Sequence, residues 1–275
     1  MLKQRVLTAI VLLALFLSAL FWLPESAWQG LLLLMVAQGA TEWTRMAQLS
    51  PQQGRLFWWL SVLGTLGLFL LDSQLQGETQ VFVHLALYVL PAIFWLMVVP
   101  TWMMIGWKVR HPLLMMFTGW LVLLPTALAM QDLRAESPKA LLFVMALVWI
   151  ADSAAYFTGR KFGRNKLAPS ISPGKTWEGV GGAMLGVTVY VVCISLATPA
   201  FGSYPPLFPG LILASWWWVG LAVMGDLFES LIKRQAGVKD SGALLPGHGG
   251  LLDRIDALTS TLPLAAMAIL MQKLG

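Results

Sequence analysis

Nine stretches of mostly apolar residues, separated by short polar connections, dominate this chain and leave it little choice of environment. A hydrocarbon core about 30 Å thick is crossed by roughly 20 helical residues. Runs of about that length begin near Val6, Ala27, Leu56, Val81, Leu113, Ala140, Trp177, Leu211 and Leu251. Within lipid each backbone N–H and C=O must find its partner inside the segment, so every run is expected to be a helix. The expected fold is all-α: a polytopic integral membrane protein with about nine transmembrane helices. Pro91, Pro100 and Pro125 fall in or near the fourth and fifth runs, where they are expected to mark kinks or helix ends. The first run, Val6 to Leu23, is longer than the apolar stretch of a cleaved leader, and no small-x-small site follows, so it reads as a retained span.

Only 11% of the residues are charged, against 58% hydrophobic, so the position of each charge carries information. A net charge of +5 would suggest a nucleic-acid partner in a soluble chain. In a polytopic one it reflects basic loops on one side of the bilayer, and no nucleic-acid partner is expected. With a cytoplasmic N-terminus, 15 of the 18 Lys and Arg residues fall on the inner side, leaving Arg134, Lys139 and Lys273 outside. The positive-inside rule selects that orientation. Cys193 is the one cysteine, which rules out an intrachain disulfide and a thiol-based zinc cluster. No internal repeat is visible, and the chain reads as a single membrane domain over 1–275. Residues about 1–135 form an N-terminal helical scaffold, and about 139–275 carry the catalytic helices and loops.

Two inner loops stand out, "GRKFGRNKLAPSISPGKTWEG" and "KRQAGVKDSGALLPGHGGLLDRID", and carboxylates flank both at membrane depth. Asp152 lies in the sixth span, Asp226 and Glu229 end the eighth, and Asp253 and Asp256 begin the ninth. A charge inside a spanning helix costs about 2.5–3.5 kcal/mol at the centre, so several at one depth call for a common compensation. On helical spacing Asp226, Glu229, Ser230 and Lys233 share one face, and Asp253 and Asp256 share a face of the next helix. Two acidic faces can thus point into one pocket. Interfacial ion pairing is the alternative, with Glu229 to Lys233 a good i,i+4 pair and Arg254 within reach of either aspartate. Oxygen-rich sites of this kind suit Mg²⁺, and His84, His111 and His248 are too scattered to compete.

Gly247, Gly249 and Gly250 permit positive φ and close backbone approach to a ligand, and the helix that follows aims its N-terminal amides at an anion. His248 and Lys239 add donors; an ordinary tight turn would use the same glycines. "SPGKT" at Ser172 to Thr176 is not a P-loop, because Pro169 stands where the first glycine belongs and no strand precedes it. Ser172, Lys175 and Thr176 nonetheless offer phosphate donors on the correct side, or else a helix cap. Arg160, Lys161, Arg164 and Lys166 suit topology and anionic lipid, and Trp216 to Trp218 suit packing or an interfacial belt.

The stretch Ser230 to Asp256 resembles the signature of the phosphatidate cytidylyltransferases, or CDP-diglyceride synthases: S-x-x-K-R, K-D-x-G, P-G-H-G-G and D-R-x-D, without a gap. "ADSAAYFTGRKFGRNKLAPSISPGKTWEG" resembles the family's preceding loop, and Glu42 with Trp43 is a weaker echo. Ala154 stands where close bacterial relatives often carry Gly. The resemblance implies CTP and phosphatidic acid as substrates, CDP-diacylglycerol and pyrophosphate as products, Mg²⁺ with K⁺ beside it, and a homodimer of nine-span subunits in a bacterial inner membrane with its site facing the cytoplasm. It places metal on Asp226 and Asp253, with Asp256 and Asp240 as further candidates. Charge on the phosphates falls to Lys239, His248 and Arg254, and substrate contacts to Ser172, Lys175, Thr176, Ser230, Lys233, Arg234, Gly249 and Gly250.

Two other classes compete. A secondary transporter of an anionic solute would place its charges near the bilayer midplane and repeat them in the first half, whereas here they cluster at one face of the second. A CDP-alcohol phosphotransferase would need a DGxxAR motif, which is absent.

Overall fold

Helices form wherever the apolar runs predict them. The computed structural model describes residues 2–197, 208–244 and 249–274. In chain order its elements are α1 (Leu2–Trp22), α2 (Glu25–Met46), α3 (Pro51–Gln74), α4 (Gly77–Ile93), a π turn (Phe94–Val98), α5 (Val99–Ile105), α6 (Pro112–Glu136) and α7 (Pro138–Phe162). A short hairpin of β1 (Lys166–Ala168) and β2 (Ser172–Thr176) follows, then α8 (Trp177–Ala197), α9 (Phe208–Gln235) and α10 (Leu252–Gln272). Among the described residues 7 helices are long and apolar enough to span a bilayer, with α4, the π turn and α5 counting as one continuous span. The other two expected spans are also helices, and α2 carries Gln29, Gln38, Glu42 and Arg45 along its length.

The prolines fall within the fourth span without ending it. Pro91 lies inside α4, and the chain widens into a π turn before Pro100, with the Val99 amide donating to the Phe94 carbonyl. A wider turn makes room for a proline ring that would clash with an ordinary α-helical carbonyl. That turn presents Phe94 and Trp95, and with Trp102 they pack edge-on around Phe228 of α9 at centroid distances of 5.6, 5.6 and 5.4 Å. Helices in lipid gain nothing from leaving water, so such packing and interhelical hydrogen bonds hold them together. The α7–α8 pair uses small residues for this. A Cβ on Gly186 would come within 2.8 Å of the Ala154 Cβ, so the glycine makes room for the alanine.

Helices α6 and α10 are the most buried and join the two halves. Leu128 and Leu133 of α6 share a core with Leu258 and Leu262 of α10. At Gly225 a Cβ would lie 2.6 Å from the Asp256 carbonyl oxygen and 3.1 Å from the Ala257 Cα. Only glycine lets α9 lie this close to α10, one residue before Asp226.

One end of the bundle carries a polar clasp. His84 on α4 lies between two carboxylates, with Nε2 3.3 Å from Asp72 Oδ1 of α3 and Nδ1 3.0 Å from Asp132 of α6. Tyr88 donates to Asp132 at 2.8 Å, and Gln80 to Asp72 at 2.5 Å. A ring with a carboxylate at each nitrogen donates from both, as an imidazolium. At the same end Arg134 donates to the Leu20 and Leu23 carbonyls, and Lys273 pairs with Glu136. Replacing His84 by Leu leaves two buried carboxylates without their cation, an expected loss of about 3–5 kcal/mol. Thermal inactivation in detergent should show it as a lower midpoint, while turnover per folded molecule stays near that of the parent.

Candidate functional site

The opposite end of the bundle gathers the acids and bases singled out in the sequence. Asp226, Glu229, Ser230 and Lys233 lie along the last turns of α9, where helical spacing brings them onto one face. Ser230 Oγ donates to Asp226 Oδ1 at 3.3 Å, and Lys233 Nζ donates to Glu229 Oε2 at 2.9 Å. The i,i+4 pair is therefore present, yet it reaches further. Lys233 Nζ also contacts Asp253 Oδ1 of α10 at 2.6 Å, which ties the two acidic faces together through one buried ammonium.

Asp253 is held on its other oxygen as well. Its Oδ2 accepts from the Ser241 amide at 2.9 Å and the Gly250 amide at 2.8 Å, and lies 3.0 Å from Ser241 Oγ. Gly249 takes the positive φ expected of it, +81°, and a Cβ there would come within 2.6 Å of Asp253 Oδ2.

A second charge pair comes from the hairpin. Lys175 Nζ of β2 lies 2.5 Å from Asp226 Oδ2, and both side chains are partly open, at 23% and 29%. Asp152 of α7 is exposed and within electrostatic reach of Asp226 and Lys175. Asp256 lies within electrostatic reach of Asp226, Glu229 and Asp152, and its Oδ1 accepts from the Ala257 amide at 2.8 Å. Among the described residues Glu229 Oε1 is buried with no hydrogen-bond partner, beside a cavity of about 10 Å³ lined in part by Gly225, Glu229, Asp256 and Thr259. Such a space holds about one water molecule. Two carboxyl groups facing each other there need a proton or a cation between them.

Three of the expected site features meet partners within the protein. Thr176, a candidate substrate donor, is 5% exposed, and its hydroxyl accepts from the Gly179 amide at 3.1 Å, so it caps α8. Lys233, a candidate substrate contact, is 8% exposed, and its ammonium bonds two carboxylates. The amides opening α10 do not point at an open anion site. Those of Leu251 and Leu252 donate to Glu42 of α2 at 2.8 and 2.9 Å, and that of Gly250 serves Asp253.

Glu42 is the residue that motif reasoning left nearly unnoticed. It is 4% exposed, and the Gln38 amide and Ser241 hydroxyl also donate to it, both within 2.8 Å. Its one sequence signal was the Glu42-Trp43 pair; nothing local could reveal a bond across 199 residues. Lys239, Asp240, Arg234 and Arg254 are exposed around the rim, with Arg234 donating to the Ile171 and Val238 carbonyls. Ser172 is half-buried, paired with Ala168 across the hairpin. His248 and Gly247 lie outside the described residues.

Comparison with known proteins supplies the family. A model of the cytidylyltransferase family matches residues 3–272. A protein of Haemophilus influenzae called phosphatidate cytidylyltransferase is 38% identical over 279 aligned residues, 96% of each chain. One of Pseudomonas aeruginosa with the same name is 39% identical, over 97% of this chain and 96% of its own. A third, from Thermotoga maritima, is 42% identical over 132 residues, 45% of this chain and 46% of its own. Matches that run nearly end to end, on a site whose acids and bases converge from separate helices, leave one conclusion: the chain belongs to the cytidylyltransferase family.

Proposed function

We propose that this chain is a phosphatidate cytidylyltransferase, which transfers the CMP unit of CTP to phosphatidic acid and yields CDP-diacylglycerol and pyrophosphate. The activity named for the Haemophilus and Pseudomonas relatives supports this reading. The observation that carries it is the gathering of carboxylates at one end of the bundle. Asp152, Asp226, Glu229, Asp253 and Asp256 lie there together, with Lys175 bonding to Asp226 and Lys233 to Glu229 and Asp253.

The chemistry explains why such a site is needed. A lipid phosphate oxygen attacks the α-phosphorus of CTP, and the bond from that phosphorus to the β-bridging oxygen breaks, so pyrophosphate leaves with the electron pair. The attacking oxygen is already ionised near neutral pH, and no strong general base is required. Repulsion between two anions is the main obstacle, which makes positioning and charge neutralisation the work of the protein. In this reading Lys175, with Ser172 and Ser230, binds nucleotide phosphate or lipid headgroup. Lys239, Arg254, Arg234 and His248 neutralise charge at the rim, and Gly249 and Gly250 shape the loop against the phosphates.

Magnesium fits the residues present. Among the described residues no three acidic, histidine or cysteine side chains close into a cage. That suits an ion which commonly takes one or two carboxylates and completes its shell with phosphate and water. Among the described residues the buried Glu229 Oε1 has no hydrogen-bond partner, and Asp256 lies near three other carboxyl groups, surroundings that suit a cation. Asp226 and Asp253 would hold Mg²⁺, with Asp256 and Asp240 as further ligands and K⁺ beside it. When bound, the metal would offset the negative charge of the phosphates.

The protein would sit as a homodimer of nine-span subunits in a bacterial inner membrane, with its N-terminus and site toward the cytoplasm. The bacterial sources of the relatives and the gathering of Lys and Arg at the site end support that placement.

Purified protein in liposomes provides the test. Pyrophosphate release should require both CTP and phosphatidate in the membrane; solute flux without pyrophosphate would favour a transporter instead. Lys175→Ala is expected to raise KM for CTP or phosphatidate by about tenfold or more, the worth of one charge-assisted hydrogen bond. Unchanged kinetic constants would return Lys175 to a purely structural pairing with Asp226.

A further inference from the structure

The connection between the first half of the chain and the reacting end runs through one side chain. Glu42 lies on α2, and its two oxygens each take two donors. Oε1 accepts from Gln38 Nε2 and the Leu251 amide, and Oε2 from Ser241 Oγ and the Leu252 amide. Two of these donors are the first amides of α10, the helix that carries Asp253 one residue later. A carboxylate at that helix end satisfies amides that have no partner within the helix and is favoured by its dipole. A third donor, the Ser241 hydroxyl, lies between Glu42 Oε2 at 2.7 Å and Asp253 Oδ2 at 3.0 Å. It has one proton for two carboxylates. The shorter contact assigns that proton to Glu42, while the Ser241 and Gly250 amides remain on Asp253.

The surrounding backbone is fitted to this carboxylate. A Cβ on Gly250 would run into both Ser241 Oγ and the Glu42 carboxylate, and one on Gly242 would lie 2.9 Å from Glu42 Oε1. The loop before α10 therefore wraps a charge that belongs to another part of the chain.

We infer that Glu42 is a positioning residue for nucleotidyl transfer: it fixes the start of α10 and the Ser241 loop, and through them sets the direction of the Asp253 carboxylate. It touches no substrate itself. The inference rests on the assignment of Asp253 to the site, and the two can fail separately.

Glu42→Gln tests it. The amide keeps the size but can accept on one oxygen only, and its NH₂ meets donors that have nowhere else to point. The first turn of α10 must shift, and displacement of a reacting group by as little as 1 Å costs about a hundredfold. The expected result is a kcat per folded molecule lower by roughly tenfold to a hundredfold, with KM for CTP and phosphatidate within about twofold and the thermal midpoint lower by only a few degrees. Glu42→Asp, which retains charge and loses reach, should fall between. Ser241→Ala should lower kcat less, and the double variant E42Q/S241A should lose less than the product of the two, because both act on Asp253 through one contact. A kcat within twofold of the parent in Glu42→Gln, or independent multiplication in the double variant, overturns the inference. Should Glu42→Gln not accumulate in the membrane, Ser241→Ala decides: a fall in kcat at an unchanged midpoint supports the role, and an unchanged kcat removes it. Asp253→Asn assayed in parallel separates the cases, since an inactive Asp253→Asn beside a fully active Glu42→Gln rejects the positioning role alone.

Discussion

Asp253→Asn is expected to reach the membrane in normal amount and to lose CTP-dependent turnover by on the order of a hundredfold to a thousandfold, the scale seen when a preorganised electrostatic group is removed from an active site. The physical case lies in how the carboxylate is used. One oxygen bonds Lys233 at 2.6 Å, and the other takes the Ser241 and Gly250 amides. Asparagine can accept on one side only, and its NH₂ must face either an ammonium or two amides. The negative charge is lost at the point where α9, α10 and the Ser241 loop meet. Folding should survive, because Glu229 still holds Lys233 at 2.9 Å and Glu42 still holds the first amides of α10. Steady-state kinetics on purified protein, beside a thermal midpoint, checks both halves of the expectation. Near-parental turnover would remove Asp253 from the site.

Lys233→Met should be more damaging still, because it acts on folding as well as on activity. The methionine fits the volume of the lysine stem, but Glu229 and Asp253 are left facing each other with side chains only 7% and 9% exposed. Breaking a buried pair by removing one partner costs about 3–5 kcal/mol, since the remaining charge is uncompensated. Low yield and a sharply lower thermal midpoint are the expected results. A second substitution separates stability from catalysis. Glu229→Gln on the Lys233→Met background removes one of the two stranded charges, so yield and midpoint should recover in part. Turnover should not, because Asp253 still lacks the cation that orients it. Full recovery of turnover in the double variant would show that Lys233 contributes bulk and charge balance only.

Much of this arrangement was legible in the sequence, for reasons that differ from residue to residue. Apolar run length determines where helices form, because lipid tolerates no unpaired backbone, and the runs near Val6 to Leu251 all became helices. Helical spacing revealed that Asp226, Glu229 and Lys233 share a face, and the Glu229–Lys233 pair followed from it. Gly249 was readable because positive φ is costly for other residues. What the pattern could not reveal is which element each face meets. Lys175 finds Asp226 across 51 positions of sequence, through a hairpin that propensity alone did not predict. The α10 amides were expected to await a ligand anion, and the protein supplies one itself from Glu42, on a helix that composition placed in the scaffold. Thr176 offered two local readings, and its hydroxyl takes the Gly179 amide as a cap. For Lys175 and Glu42 the deciding fact is a tertiary contact, to which local spacing is blind.

The central claim is that this end of the bundle brings a lipid phosphate to the α-phosphorus of CTP and expels pyrophosphate. Two parallel incubations of purified protein with phosphatidate-containing liposomes and Mg²⁺, one with CTP labelled on the α-phosphorus and one on the γ-phosphorus, test it most directly. The account predicts α label in the lipid, γ label in pyrophosphate, and equal amounts of the two products. Label from the γ position in the lipid, or no labelled lipid from either nucleotide, would contradict it.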